Sequence, residues 1–483
     1  MSAITNSQFK TEGRGESRSE VRSEDRWERA VPVYGFPVVT RFFLVLMGLT
    51  LIALVLTGYR ELAGLGPVSG MNDAYGWGIW KTFNVMVLTA LGSGAFAVGI
   101  AAWVFRRKKL HALMRMALLT SFLAYACGLL LLGIDAGRPW NFYWIVFPWK
   151  WNMHSPLAEV AICMSIYAMI PLAVENLPPV LERLWYFDSR LRPGVEKVEK
   201  RLHSVFPYVI ALAYLLPGMH QSSLGALMLL AGERVHPLWQ TPFLPLLYVW
   251  AACFMSFGCV AGCTMLCCLV WKRAMDMEVL DEAARITSWL IYGWAALRLL
   301  DIAFREQFGT AFHFDRFAGV FWLEMLLTVG GGILLQRSVP MKDKGNMFLG
   351  YVLSSIGGMV YRFSPTTLAF RPNPQALYFP ATIEILVSLG FIAMGVAGFL
   401  FAVKRFAILP APLYVWHDMA SYFRFRRPYI RWTGYFKYGH FGEDEEITTD
   451  DASATGVING SASGLSGASG AKAPAFRGPE RHG

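Results

Sequence analysis

Charge is scarce in this sequence of 483 residues: Asp, Glu, Lys and Arg make up 16% of it, whereas soluble domains carry about a quarter. Hydrophobic residues account for 55% of the chain and the mean hydropathy is +0.39. This composition excludes a set of soluble cores and indicates a polytopic membrane protein. The net charge of +10 does not indicate nucleic-acid binding, because the basic residues cluster in short loops between apolar runs, where they set topology.

Metal-binding motifs are also missing. The seven cysteines all lie within apolar runs, and neither Cys-x-x-Cys nor Cys-x-x-Cys-His occurs, which argues against iron–sulfur ligation, c-type haem and a disulfide framework in this chain. Of the nine histidines, only His220 lies well inside an apolar run. Because a b-type haem in a membrane bundle usually takes two facing axial histidines, we predict no haem, no iron–sulfur cluster and no bound metal.

The start of the chain lacks the apolar core of a cleavable signal peptide. We predict a polar cytoplasmic arm over residues 1–34, a transmembrane domain over 35–410 and a cytoplasmic tail over 411–483. The tail is rich in Gly, Ser and Ala from about residue 452. It should be flexible there, because such a composition cannot bury a core.

Ten apolar runs are long enough to cross a membrane, which takes about 20 helical residues. One set of connecting loops carries fifteen lysines and arginines against seven in the other set, so the positive-inside rule places both termini in the cytoplasm. The sequence therefore predicts an all-α bundle of about ten transmembrane helices, with an amphipathic stretch over 176–203 at the membrane surface. The runs are approximately 37–59, 79–105, 112–134, 155–175, 204–230, 243–271, 286–305, 318–337, 347–367 and 380–403.

The fifth run is interrupted at its centre by the polar segment Pro217–Gly225, which contains His220, Gln221 and Ser222. Polar groups at bilayer depth cost free energy unless they face protein, water or a ligand. This helix should therefore face inward, toward a cavity or a polar seam. Two interpretations are open: a kinked packing helix whose serines bond to neighbouring helices, or a site for a lipid-soluble molecule with a polar head.

Ionisable residues lie within or at the ends of several runs, most of them in the predicted outer half of the membrane. The pairs Asp135–Arg138 and Arg298–Asp301 are spaced to form ion pairs. Three glutamates have no partner on their own helix, and a carboxyl buried alone can carry protons. The ionisable residues are Asp135, Arg138, Glu159, His220, Arg298, Asp301, Arg305, Glu324, Arg362 and Glu384, and the neutral amide Gln221 lies next to His220.

A densely aromatic stretch follows the third run, with four tryptophans between Trp140 and Trp151. Tryptophan and tyrosine favour the membrane–water interface, so an aromatic belt explains part of this pattern. A re-entrant or docking element is the other interpretation.

Seven pieces of sequence between about Gly64 and Pro410 carry a strong resemblance to a known family. The chain resembles the integral membrane subunit of quinone-linked nickel–iron hydrogenases, within the wider NrfD/polysulfide reductase membrane-subunit family. It departs from that pattern at Lys81, Pro139 and Cys263, where the family has an apolar residue, a tyrosine and an acid. The matching pieces are Tyr75–Trp80, Ile134–Asn141, Ser155–Glu159 with Ile162–Tyr167, Pro217–Gly225, Val235–Gln240, Phe321–Glu324 and Tyr378–Pro380.

The resemblance implies ten membrane helices, no haem, and a quinone (menaquinone or ubiquinone) bound near the periplasmic face of the bacterial inner membrane. It also implies a ferredoxin-type iron–sulfur partner, which relays electrons from a periplasmic module of hydrogenase large and small subunits. Polysulfide, sulfite, formate or an alternative respiratory complex is the competing electron donor. A transporter with a polar midplane site and a passive anchor are the competing functions.

Residues and resemblance together predict a quinone held between the third, fourth and fifth helices. The candidate catalytic residues are Glu159 and Asp135. The candidate quinone-binding residues are His220, Gln221, Asp135, Arg138, Trp140 and Ser222. The candidate proton path comprises Glu159, Arg298, Asp301, Glu324, Arg362 and Glu384.

Overall fold

The computed structural model describes most of the predicted transmembrane domain. The predicted tail, most of the predicted arm, and Arg138 lie outside the described residues. The described residues are 30–31, 37–135, 139–152, 154–187, 189–273, 276–313, 315–371 and 378–410.

Each of the ten apolar runs folds as a helix, because a long apolar sequence in a membrane must satisfy its backbone hydrogen bonds internally. The predicted all-α polytopic architecture is confirmed. Helices α1 to α10 span Arg41–Ala63, Ile79–Val104, His111–Asp135, Pro156–Trp185, Arg192–Leu229, Leu244–Val270, Met277–Phe304, Arg316–Met341, Lys344–Phe363 and Thr382–Arg405.

Seven of these helices, namely α1–α4, α6, α8 and α10, are long and apolar enough to span a membrane. Helix α5 is an eighth if its two halves, which meet at a bend of 56°, form one span. Helix α7 carries six charged side chains, whereas the lower hydropathy of α9 comes from its glycine, serine, asparagine and tyrosine residues. The count of ten crossings therefore stays a prediction, as does the cytoplasmic location of the termini.

A short strand pair joins the two ends of the helical domain. Strand β1 (Ala30–Val31) pairs antiparallel with β2 (Leu409–Pro410). The segments that precede α1 and follow α10 therefore lie at the same end of the bundle, as an even number of crossings requires. Elsewhere an isolated bridge between Val235 and Phe370 links the loop after α5 to the loop after α9.

The described chain contains four π-helical turns: two within helices, at Thr82–Val87 of α2 and Ala168–Leu172 of α4, one at the end of α2, at Ile100–Val104, and one directly after α9, at Ser364–Leu368. In a π turn the backbone hydrogen bond spans five residues instead of four, and such turns occur frequently at functional sites. In the first, the Leu88 amide donates to the Phe83 carbonyl. This wider turn belongs to α2, one of the most enclosed helices of the bundle.

Candidate functional site

Helix α5 turns its interrupted segment inward, as predicted, and His220 and Gln221 are 0% and 1% exposed. His220 Nδ1 lies 3.1 Å from the Val160 carbonyl oxygen of α4. Because a carbonyl only accepts, Nδ1 carries the proton of the neutral imidazole and Nε2 is left as an acceptor. The Gln221 amide nitrogen donates to Thr89 Oγ1 of α2 at 3.2 Å.

Tyr125 of α3 completes this buried group. Its hydroxyl lies 3.5 Å from both Gln221 Nε2 and Ser93 Oγ. Its ring meets those of Tyr167 and His220 edge-to-face, with centroids 4.8 and 5.4 Å away. The His220 cluster, contributed by α2, α3, α4 and α5, comprises Thr89, Ser93, Tyr125, Tyr167, His220 and Gln221.

Several polar atoms in and beside the His220 cluster are buried without a hydrogen-bond partner among the described residues. Within the cluster they are His220 Nε2, Gln221 Oε1 and the Tyr167 hydroxyl; outside it, about one helical turn away, they are the oxygen and nitrogen of the Asn84 side chain. Buried polar groups in proteins are nearly always hydrogen-bonded, to protein, water or ligand. The cluster therefore presents donors and acceptors suited to water or to the polar head of a ligand.

Helix α9 brings Arg362 to the same region, where it is an electrostatic neighbour of His220 and Tyr125. One terminal nitrogen donates to the Tyr248 carbonyl at 2.6 Å, and the guanidinium carbon lies 4.0 Å from the Tyr248 ring centroid. Its other terminal nitrogen and Nε have no partner within the described part of the chain. The Tyr248 ring in turn meets the Tyr361 ring of α9 at 5.6 Å, and the guanidinium carbon of Arg298 of α7 lies 5.2 Å from the Tyr361 ring centroid. We call this chain of contacts, from the His220 cluster through Arg362 to Arg298 and its partners, the polar seam.

The expected pairing of Arg298 with Asp301 is wrong. Arg298 of α7 instead pairs with Glu324 of α8, with 2.9 Å between nitrogen and oxygen and both side chains fully buried. Trp239 and Ser364 donate to the other carboxylate oxygen at 3.0 and 3.2 Å. Glu324 is therefore not a solitary carboxyl, because partners on other elements engage both of its oxygens.

Asp301 takes part in a second set of contacts. It pairs with Arg305 one turn further along α7, at 2.7 Å, and accepts a hydrogen bond from Thr241 at 2.6 Å. Arg305 also donates to two carbonyls of the loop 235–240, and Arg298 donates to a third. These arginines therefore fasten the loop that connects α5 to α6.

Asp135 ends α3 in a separate group, which we call the Asp135 group, where α1, α2, α3 and α10 converge. The charged side chains that interact electrostatically with the Asp135 carboxylate are, from strongest to weakest, Lys81, Arg60 and Glu384. Both carboxylate oxygens of Asp135 are buried with no hydrogen-bond partner among the described residues. Asp135 lies ten residues beyond Tyr125 on the same helix, or about 15 Å at 1.5 Å per residue. Asp135 and the His220 cluster are therefore two groups rather than one.

Glu384, at the start of α10, is fully buried and well satisfied. One carboxylate oxygen accepts from the Tyr378 hydroxyl at 2.8 Å, and the other accepts from the Ala381 and Gly70 amides. Tyr378 also accepts from the Ile79 amide at the start of α2. Glu384 therefore holds the segments before α2 and before α10 together, and it is not the solitary carboxyl expected from the sequence.

The remaining predicted site residues lie apart from the seam. Glu159 is half-buried in the first turn of α4, next to the Val160 carbonyl that holds His220. Ser222 is half-buried and donates to a carbonyl of its own helix. Trp140 is 69% exposed, in a short 3-10 segment, and Arg138 lies outside the described residues.

Sequence reasoning missed the residues that connect the predicted ones. Asn84 and Thr89 carried a signal, since both are polar side chains inside an apolar run. The aromatic residues carried none, because a tyrosine in a membrane helix is usually explained by packing. The missed residues are Asn84, Thr89, Ser93, Tyr125, Tyr167, Trp239, Tyr248, Tyr361 and Ser364.

The described histidines do not fit a haem held by two facing imidazoles. His111 and His236 pack against aromatic rings, and His154 and His313 are exposed. None of these four packs against His220, whose Nδ1 is already engaged. Within the described ranges, moreover, no group of three or more His, Cys, Asp and Glu residues is placed to hold a metal ion.

Comparison with known proteins finds relatives that are named as subunits of hydrogenase and reductase complexes. A probable Ni/Fe-hydrogenase 2 b-type cytochrome subunit of Escherichia coli strain K12 is 32% identical over 379 residues, which cover 78% of this chain and 94% of that protein. The menaquinone reductase integral membrane subunit of Nitratidesulfovibrio vulgaris Hildenborough is 35% identical over 173 residues, 35% of this chain and 39% of that protein. A selenate reductase subunit of Mesobacillus selenatarsenatis is 28% identical over 180 residues, 37% of this chain and 39% of that protein.

The family model described as polysulphide reductase, NrfD, matches residues 67–364. The matched region contains the His220 cluster, Asp135 and the Arg298–Glu324 pair, and it ends before α10 begins. It covers well over half of the chain, and the helices within it form the polar seam. This multi-pass membrane protein belongs to the NrfD (polysulphide reductase) family.

Proposed function

We propose that this chain is a haem-free membrane anchor and quinone-reactive subunit, which passes electrons between a partner iron–sulfur protein and membrane quinone. Family membership supports a membrane-subunit role, and the relatives named as hydrogenase and menaquinone reductase subunits support this chemistry. One observation of this chain carries the proposal. The His220 cluster is a buried polar site whose donors and acceptors are not all used within the described protein.

The cluster suits the head group of a quinone held between α3, α4 and α5. Reduction adds two electrons and two protons to the ring, so each ring oxygen changes from a hydrogen-bond acceptor to a hydroxyl donor. Neutral His220 can accept a quinol hydroxyl proton at Nε2, and the protonated ring can return it to a quinone oxygen at the same atom. Gln221 Oε1 is a second acceptor beside it without a partner among the described residues, and it can accept a hydrogen bond from the quinol hydroxyl.

Glu159 is the proposed proton carrier at the start of α4. It immediately precedes Val160, the residue whose carbonyl accepts the hydrogen bond from the His220 ring. In Glu159→Gln, turnover with quinone should fall while dye reduction by the partner subunits persists. An unchanged rate with quinone would remove Glu159 from the mechanism.

His220→Leu tests the site directly, because leucine fills the position without any polar atom. Binding of a naphthoquinone analogue to the complex in mild detergent should weaken about tenfold or more, the loss of roughly 1.4 kcal/mol or more. His111→Leu is the matched control. His111 begins α3, and its imidazole packs against the Trp103 ring of α2, away from the His220 cluster. Equal analogue affinity in the parent and His220→Leu would refute the proposed site.

We propose that this chain lies in the bacterial inner membrane and that its electron donor is a periplasmic hydrogenase module, reached through a ferredoxin-type iron–sulfur subunit. The relatives named as menaquinone reductase and selenate reductase subunits favour a second candidate, the same role with another catalytic module. Identifying the proteins that co-purify with this chain in mild detergent decides between the two. A nickel–iron large subunit among them supports the first, and a different reductase subunit supports the second.

We propose that Asp301, Arg362 and Glu384 of the predicted proton path form the route for proton movement, whereas the buried Arg298–Glu324 pair of that predicted path holds the fold around it. If protons reach the quinone from the cytoplasmic side, turnover moves charge across the membrane. Proteoliposomes that contain the complex should then build a membrane potential during quinone reduction, visible with a voltage-sensitive dye. A complex that turns over without a potential would contradict this part of the proposal.

A further inference from the structure

The π-helical turn of α2 carries a buried asparagine that no step described above uses. Asn84 is 0% exposed, and neither its side-chain oxygen nor its nitrogen has a hydrogen-bond partner among the described residues. Thr82, two residues earlier in the same turn, also has a buried hydroxyl without a partner there. An unsatisfied buried amide is costly, and asparagine persists in such a place when water or a ligand completes its hydrogen bonds.

Asn84 lies between the His220 cluster and the Asp135 group. Its backbone carbonyl is 3.1 Å from where a Cβ of Gly128 would stand, so α2 touches α3 at that glycine. Gly128 follows Tyr125 by three residues and precedes Asp135 by seven. Along α3, the Asn84 contact therefore falls about one turn from the His220 cluster and about 10 Å from Asp135.

Helix α2 gives the same order independently. Lys81, the first charged neighbour of Asp135, lies three residues before Asn84, or one turn toward the start of the helix. Thr89, which accepts from Gln221, lies five residues after Asn84, about one π turn deeper. Both helices thus place Asn84 between the Asp135 group and the His220 cluster.

We propose that Asn84 is a positioning residue in a proton relay that connects Asp135 with the His220 cluster. The inference rests on the proposed function, since it assigns a path for the protons of that reaction. An amide cannot hold the moving proton, but it donates and accepts at once, so it can orient water on both sides. Asp135 supplies the exchangeable proton at the outer end, and His220 Nε2 receives it at the inner end.

The relay carries protons only, so electrons reach the quinone separately, from the iron–sulfur partner of the proposed function. Each reduced quinone takes two electrons from that partner and two protons, one through the relay and one by way of Glu159. In quinol oxidation the two protons return by the same two paths. Lys81, Arg60 and Glu384 surround Asp135 from three helices and keep the outer end polar for water.

Asn84→Leu tests the relay in the intact complex, because leucine keeps the volume and removes both polar groups. Because the amide has no described protein partner, an apolar replacement should not lower the thermal unfolding midpoint. Affinity for a naphthoquinone analogue and dye reduction by the partner subunits should stay at parental values. Quinone turnover should fall about tenfold or more, and the solvent deuterium isotope effect on turnover should increase. Asn84→Asp, which restores a polar group, should recover most of the rate.

The matched control is Asn176→Leu. The Asn176 amide donates to the Leu118 and Leu172 carbonyls at 3.1 and 2.8 Å, so its role is structural. This variant should lose thermal stability, while the protein that folds keeps its isotope effect and its rate.

Three results would overturn the relay. Full turnover in Asn84→Leu would show that protons take another path. Loss of analogue affinity in that variant would make Asn84 a quinone ligand instead. Equal loss of stability in both asparagine variants would make it a packing residue. The proposed function fails by a different result, unchanged analogue affinity in His220→Leu, so the two failures are distinguishable.

Discussion

Replacing Glu324 with glutamine separates two roles that its position allows, a structural partner of Arg298 and a carrier of protons. Glutamine has nearly the same shape as glutamate but no charge. Arg298 would then keep its charge where neither side chain is exposed. The new amide nitrogen also cannot accept the hydrogen bonds that Trp239 and Ser364 now donate.

The structure gives the size of the expected effect. Removing one member of a buried ion pair costs about 3–5 kcal/mol, because the remaining charge is left without compensation. The double variant Arg298→Met with Glu324→Met leaves no unpaired charge at this pair and should cost less than the sum of the single variants. It still loses the bond of 2.7 Å from Arg298 to the Leu238 carbonyl, so it should remain less stable than the parent.

Two measurements on the same detergent-solubilised complex decide between the roles. Thermal unfolding followed by tryptophan fluorescence should show a lower midpoint for Glu324→Gln. Quinone reduction per folded molecule should match that of the parent, since an ion-paired carboxylate in this position acts through the fold. An unchanged midpoint with a strongly reduced rate would refute this reasoning and return Glu324 to the proton path.

Three further expectations concern the loops and the helix contacts, and thermal unfolding measures each of them. Burial lowers the pKa of the His236 imidazole from 6.5 to about 4, so between these pH values the unfolded chain binds a proton that the folded chain does not. Stability should therefore fall as the pH drops from 6.5 toward 4, and His236→Phe should reduce this pH dependence. Gly357→Ala would place a methyl group 2.6 Å from the Thr328 backbone nitrogen and should cost about 1–3 kcal/mol, whereas Gly330→Ala, with open space around it, should be neutral or stabilising by about 0.5–1 kcal/mol. Glu384→Ala should destabilise the complex by about 1–3 kcal/mol for each donor it leaves unpaired, and a parental midpoint in this variant would contradict its role in joining the two segments.

The helices and the inward face of α5 could be predicted from the sequence because both depend on local chemistry. A run of about 20 apolar residues has one satisfactory conformation in a bilayer. His220 and Gln221, in the middle of such a run, had to point away from lipid. These inferences need no knowledge of which helices are neighbours.

The partners of the charged residues could not be predicted, because they depend on that neighbourhood. Spacing along α7 suggested Asp301 for Arg298, but the helix packing offers Glu324 on α8, which is fully enclosed. The same limit applies to Glu384, whose partners come from segments far away in sequence. Asp135 and His220 were grouped by motif, although about ten residues of α3 separate Asp135 from the cluster.

The π turn at Thr82–Val87 also determines which way the side chains after it point around the axis of α2. Removing one residue from it would let an ordinary α-helix form, and each residue of α-helix advances by about 100°. Everything after the deletion would rotate by that amount relative to the anchored start of the helix. Thr89 and Ser93 would then swing away from Gln221 and Tyr125, while the hydrophobicity of the helix and its length would hardly change.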